Sequence, residues 1–147
     1  MKLICQESSD LELLSACLQD SLTCLKDMIY QAKERRFVLM ASRYMWEDPV
    51  LADGGGRRVR CGVHFNDVTA VQVQGIDQSD RDGLLDLLAV SLDPQNSAEK
   101  TGVGDGLLTL HLLFAAHGSI KLTVECIDIV LSDQGQPWST PHRQDHA

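Results

Sequence analysis

Arg58, Arg60 and His64 alternate with Val59, Cys61, Val63 and Phe65 in the stretch RRVRCGVHF. An imidazole beside guanidinium groups suits a carboxylate or phosphate, either as a donor to an anion or as a general base. A base also needs an acid to orient it, and none stands at a diagnostic spacing from His64. Asp67 and Asp86 are the acids such a mechanism would have to recruit. Without one, the same residues describe the wet face of a strand. His111 also alternates with apolar neighbours, His117 falls in a turn, and His142 and His146 belong to a polar tail.

Metal chemistry finds little support. Cys61 and His64 have a C-x2-H spacing, but strand residues three apart point to opposite faces, and no second ligand pair accompanies them. Nucleophilic cysteine chemistry needs a thiol beside a base. Cys17, Cys61 and Cys126 fall on predicted core faces, Cys5 and Cys24 stay unassigned, and a buried small hydrophobe is the default role. The Gly54-Gly55-Gly56 run lacks the GxxxxGK[ST] ending and following helix of a phosphate loop. Cations cluster at Lys33, Arg35 and Arg36 and again at Arg57, Arg58 and Arg60. If their strands were neighbours, they could form one patch for an anion or an acidic partner segment.

These residues must be positioned by strands. Arg57–Phe65 and Val71–Gln74 each have period-two alternation, and matching their apolar faces predicts a hairpin. Its register would set Val63 against Val71 and Cys61 against Val73, with a bulge at Asn66–Val68. The outer face then carries Arg58, Arg60, His64, Gln72 and Gln74 together.

Lys2–Gln6 reads as a short strand. Ser9 and Glu12 match a capping box for a helix through Leu11, Leu14 and Leu18 to about Gln19. Leu22–Gln31 and Arg36–Trp46 pair across a four-residue connection that sets Tyr30 opposite Phe37 and Met28 opposite Leu39. Phe37–Ala41 is apolar on both faces, so this strand should lie centrally. Glu47–Gly56 and Asp93–Gly106 are loops, Ile76–Gly83 is a polar turn, and Leu84–Leu92 is a strand. Leu107–Ala115 and Ser119–Glu125 form a hairpin, with Phe114 facing Ile120, Leu112 facing Leu122 and Leu110 facing Val124. Gly118 would take the positive-φ position of a three-residue connection. Cys126–Gln134 is ambiguous: helical spacing and the Gly135 stop favour a short terminal helix, β-branched content a strand. The helix is preferred. Trp138 is expected to cover the sheet rim.

The totals bound the class. A chain of 147 residues, 44% apolar and 23% charged, can bury a real core. No apolar run reaches the roughly 20 residues of a membrane span, and the acidic opening is unlike a secretory signal. The formal charge of −8 opposes a phosphate-tracking nucleic-acid surface. Five cysteines without a CxxC pair fit reduced thiols and a cytoplasmic location.

The stretches MKLICQESSDLELLSACLQDS, KERRFVLMASRYMWE, RCGVHFNDVTAVQVQGID and KLTVECIDIVLSDQGQPW resemble an uncharacterised bacterial family, domain of unknown function 2948. The resemblance implies a small intracellular bacterial protein and brings no activity, cofactor or catalytic residue with it.

The sequence therefore predicts an α+β domain over residues 1–135, with a loosely held tail over 136–147. A twisted, mainly antiparallel sheet of about seven strands would carry an N-terminal and a short C-terminal helix, and closure toward a partial barrel or roll stays open. The function expected is non-catalytic: a binding or regulatory module using Arg58, Arg60, His64, Gln72 and Gln74. It would take a small anionic ligand or a protein partner, a second copy included, with no cofactor, metal, nucleic acid or membrane. The alternative is a small hydrolase-like enzyme with His64 as general base.

Overall fold

The computed structural model describes residues 1–47, 55–93 and 106–140. Ten strands form one mainly antiparallel sheet, with a single α-helix among the described residues. In chain order they are β1 (Lys2–Cys5), α1 (Leu11–Leu18), β2 (Ser21–Thr23), β3 (Met28–Gln31), β4 (Arg36–Tyr44) and β5 (Gly56–Phe65), followed by β6 (Val68–Gln74), β7 (Leu85–Leu92), β8 (Leu108–Phe114), β9 (Ser119–Val124) and β10 (Ile129–Thr140). The spatial order is β1-β10-β5-β4-β2-β7-β8-β9-β6, with β3 beside β4. The Pro49 and Gly54 part of the first predicted loop, most of the second, and residues 141–147 lie outside the described residues.

Helix α1 begins where its apolar period begins and buries Leu11, Leu14 and Leu18. The capping box falls two residues earlier than the predicted Ser9–Glu12 box and closes the 3-10 turn Ser8–Asp10 that leads into the helix. The Asp10 carboxylate accepts from the backbone N–H groups of Gln6 and Glu7, both at 3.1 Å. Asp10→Ala should therefore cost about 1 kcal/mol, read as a lower urea midpoint with unchanged slope.

Strands β3 and β4 pair in the predicted register, with Met28 opposite Leu39 and Tyr30 opposite Phe37. Arg35, at φ 55°, closes their turn. The strand before it is broken: β2 and β3 are separated by a 3-10 turn at Leu25–Asp27. Strand β4 is central, as its two apolar faces require, with β5 on one side and β2 and β3 on the other.

Three expectations are corrected. First, β5 and β6 do not form a hairpin. β5 lies between β10 and β4, whereas β6 pairs with β9 at the far edge. The backbone N–H of Asn66 bonds Asp128 and that of Glu125 bonds Asp67, so the corners after β5 and after β9 run side by side. The chain thus bends at Asn66–Asp67 instead of reversing. β5–β6 and β9–β10 form one long, bent two-stranded ribbon, with Asp67 at φ 58° as the hinge residue. Turn-type residues there are needed for the bend, which is why they resemble a hairpin connection.

Second, residues 129–140 are strand β10 and not a terminal helix. Pairing with β5 on one side and β1 on the other satisfies its backbone, and β-branched packing prevails over helical spacing. Gly135, at φ 74°, lies where the register with β5 shifts, and the strand continues to Thr140. Residues 138–140 pair with β5, and Trp138 is exposed rather than folded over the rim.

Third, the β8–β9 hairpin is slipped by two residues: Leu112 faces Ile120, Leu110 faces Leu122 and Leu108 faces Val124. Gly118 has φ −76°, and Ala116 and His117 take the positive-φ positions. A two-residue slip preserves the faces, so the predicted core side chains remain inside.

One core gathers side chains from α1 and from both halves of the sheet. Cys61, Val63 and Phe65 lie with Leu39, Leu110, Leu112, Leu122 and Leu131 within it, while Val59 is buried opposite Arg43. Phe37 and Phe65 pack at 6.1 Å between ring centroids.

Candidate functional site

The predicted five-residue face is dispersed by the topology. Gln72 and Gln74 are exposed on β6, with five strands between it and β5 in the sheet order. Arg58 has the outward phase but is only 5% exposed. The Gln19–Asp20 turn, with Asp20 at φ 63°, closes over this end of β4 and β5. Arg58 donates to the carbonyls of Asp20 (3.3 Å) and Ser42 (2.9 Å) and lies over the Tyr44 ring. Burial holds its pKa below the usual value. It is a structural cation, unavailable to a ligand.

Three more of these cations have partners. Arg60 reaches Asp27 at 3.3 Å, Arg36 donates to the Asn66 amide oxygen, and Arg35 pairs with Glu125 at 2.6 Å and Asp67 at 3.8 Å. The two basic clusters do not merge into one patch.

His64 remains, and strand register supplies its surroundings. It stands opposite Val130 on β10 and Val38 on β4. Val130 in turn faces Ile4 on β1, and Val38 faces Ile29 on β3. Alternation puts all five side chains on the face away from the core. The result is a cross-strand row, Ile4–Val130–His64–Val38–Ile29, spanning five strands. Its ends are well exposed, Ile4 at 53% and Ile29 at 56%. Flanking positions on the same face include Lys2, Met40, Gly62 and Arg60. The row was hidden in the sequence because its members come from five separate segments.

This geometry gives His64 aliphatic neighbours. The carboxylate of Asp67 is engaged by Arg35 and by the Cys126 thiol, and Asp86 stands on β7 opposite Leu22. Neither acid is presented to His64 by the register.

Thiol chemistry is likewise disfavoured. Burial pushes Cys61 up to about 12 and Cys5 up to about 11, so both remain protonated. Cys126, predicted to be core, is exposed beyond the β9 end. Its hydrogen bond to Asp67 holds the thiol form, raising its pKa. Cys24, with Asp27 at 3.4 Å, is also raised, first by burial. Among the described residues, no three His, Cys, Asp or Glu side chains are grouped to hold a metal.

The sequence reading missed a buried ion cluster beneath β5. Arg43 is fully buried and forms a two-point contact with Asp133, at 2.7 and 2.8 Å. A second two-point contact reaches Glu47, at 3.0 and 2.6 Å. Burial opposes the charges of Arg43 and Asp133. The paired hydrogen bonds prevail, raising the arginine pKa and lowering that of Asp133. Glu47 is lowered first by its bonds to Arg43. The signal was present in the pattern: Arg43 is in phase with Phe37, Leu39 and Ala41, and Asp133 with Ile129 and Leu131. A charge in the core phase requires a partner.

The fold and this face together define a small α+β domain that exposes an apolar row on a mainly antiparallel sheet. The chain belongs to the family described as protein of unknown function (DUF2948), which matches residues 1–146. No curated protein and no solved structure matches it. No helix among the described residues is long and apolar enough to cross a membrane.

Proposed function

We propose that this protein is a non-catalytic binding module whose contact surface is the outer face of β1–β10–β5–β4–β3, and that its occupant is a second copy of the chain. The observation carrying this reading is the row Ile4–Val130–His64–Val38–Ile29. The row reads the same from either end in residue type. A two-fold axis through His64 therefore sets isoleucine on isoleucine and valine on valine, the self-complementarity an isologous contact requires. Arg60 is already neutralised by Asp27, which reduces like-charge contact on a chain of net charge −8.

Five strands about 4.8 Å apart and three same-face rows cover roughly 480 Å² per copy. The pair would then bury roughly 960 Å², at the lower bound for a specific interface, so the contact is exchangeable and not obligate. Reduced cysteines throughout the chain support a cytoplasmic setting.

Sedimentation equilibrium tests this directly. The wild-type chain should move from monomer toward dimer between about 10 µM and 1 mM. Ile29→Lys, at an already exposed position, and Val130→Asp should keep it monomeric throughout. A wild-type chain that stays monomeric across that range refutes the second-copy reading, as does dimerisation indifferent to both substitutions.

A further inference from the structure

A second surface lies on the other half of the sheet. The outer sides of β8 and β9, with the Ala115–Gly118 connection, enclose a concavity of about 500 Å³. Its polar lining comes from His111, His117, Lys121, Gln74 and Ser119, and its apolar wall includes Leu88, Leu113 and Phe114. Among the described residues no carboxylate lines it, although the chain has 21 acidic against 13 basic residues. His111 and Lys121 stand directly opposite each other across β8 and β9. An ammonium and an imidazole so placed are two side-by-side donors that one anion can bridge. Lys121 also touches Asp93 at 3.6 Å, a long ion pair that an incoming anion can replace or extend.

The wall carrying His117 is held under backbone strain. Ala116 and His117 both have left-handed conformations, at φ 64° and 66°, without being glycine. Glycines keep them there. A Cβ at Gly75 would come within 2.6 Å of the His117 carbonyl oxygen, and one at Gly118 within 2.8 Å of Ile76 Cγ1. The Gly75–Ile76 turn and the hairpin tip are therefore locked together by close backbone approach. Strain fixed by its surroundings is typical of binding loops, because it presets a shape before the ligand arrives.

We infer that this concavity binds a small amphipathic anion. A carboxylate or phosphate head would be held by Lys121, His111 and His117, and a short alkyl part would lie on Leu113 and Leu88. Gln74, predicted as part of the His64 face, serves this site through its amide, and Gln72, opposite Lys121, borders it. The inference is independent of the self-contact at His64.

The test is titration of the 15N-labelled full chain at ~0.15 M ionic strength with four probes: acetate, hexanoate, inorganic phosphate and hexyl phosphate. At least one hexyl probe should saturate, with shifts centred on His111, Leu113, His117 and Lys121. It should bind roughly tenfold or more tightly than its head group alone, from the buried methylenes. The tighter hexyl probe identifies the head. Lys121→Gln should weaken binding at least about tenfold, as loss of a charge-assisted contact predicts. Gln72→Glu, at an exposed position where folding is undisturbed, should also weaken it by placing a competing carboxylate opposite Lys121. Absence of saturation by either hexyl probe, equal affinity for head and hexyl forms, or affinity unchanged in both variants would overturn the site.

Discussion

Arg43→Ala is expected to destabilise the protein by about 3–5 kcal/mol. The substitution removes the cation from a pocket in which Asp133 is only 11% exposed, and leaves that carboxylate without its two-point partner. The cost is thus mostly that of a buried carboxylate left with only the Met1 ammonium, at 3.2 Å, and not the net worth of the pair. A control separates the two. Arg43→Met combined with Asp133→Leu removes both charges and should recover most of the loss, because apolar replacement of a buried pair is often near neutral. Glu47, about half exposed, returns to solvent at little cost. Chemical denaturation of the two variants measures these terms.

The same cluster sets a pH dependence. Asp133 and Glu47 have pKa values lowered in the folded state, so the unfolded chain binds protons more readily there. Their stabilisation is fully present above the unfolded carboxylate range near 4 and is lost as pH falls through the folded values. Acid unfolding should accordingly begin below about pH 4 in the wild type. In the Arg43→Met/Asp133→Leu chain this part of the acid sensitivity should be reduced.

Arg58→Ala is the second large prediction, at about 2–4 kcal/mol. Its guanidinium donates to the carbonyls of Asp20 and Ser42, in a setting only 5% exposed. Truncation leaves those buried oxygens short of a donor and opens space against Tyr44. The consequence for function tests is direct: lost binding in Arg58→Ala would report unfolding. Arg60→Ala, which breaks only a partly exposed pair with Asp27, should change stability by less than about 1 kcal/mol. Thermal melts of the two variants should therefore differ by several degrees.

Local pairing was legible where few residues separate the partners. The Met28–Leu39 and Tyr30–Phe37 register follows from matching two apolar faces across four residues, because only one alignment buries both. The same logic failed at Asn66–Asp67. There the faces of β5 and β6 match equally well, but the two segments pair with β10 and β9 instead. Alternation states which side chains point inward and is silent about which strand lies alongside. That also explains the site. His64 was correctly placed on an outer face, and Gln72 and Gln74 on another, but joining them assumed a hairpin the chain does not make. Arg58 shows a further limit: phase predicted exposure, and a turn nearly 40 positions earlier in the chain buried it. Cys126–Gln134 was misread because helical spacing and strand alternation overlap over so few residues. The flanking strands that decide between them are remote in sequence.

The central claim, that the outer row around His64 is the contact surface, is tested most directly by dilution of the 15N,13C-methyl-labelled chain. Concentration-dependent shifts should be confined to Ile4, Ile29, Val38, His64 and Val130, and should vanish in Ile29→Lys. Shifts centred instead on β8 and β9, or none over the same range, would contradict it.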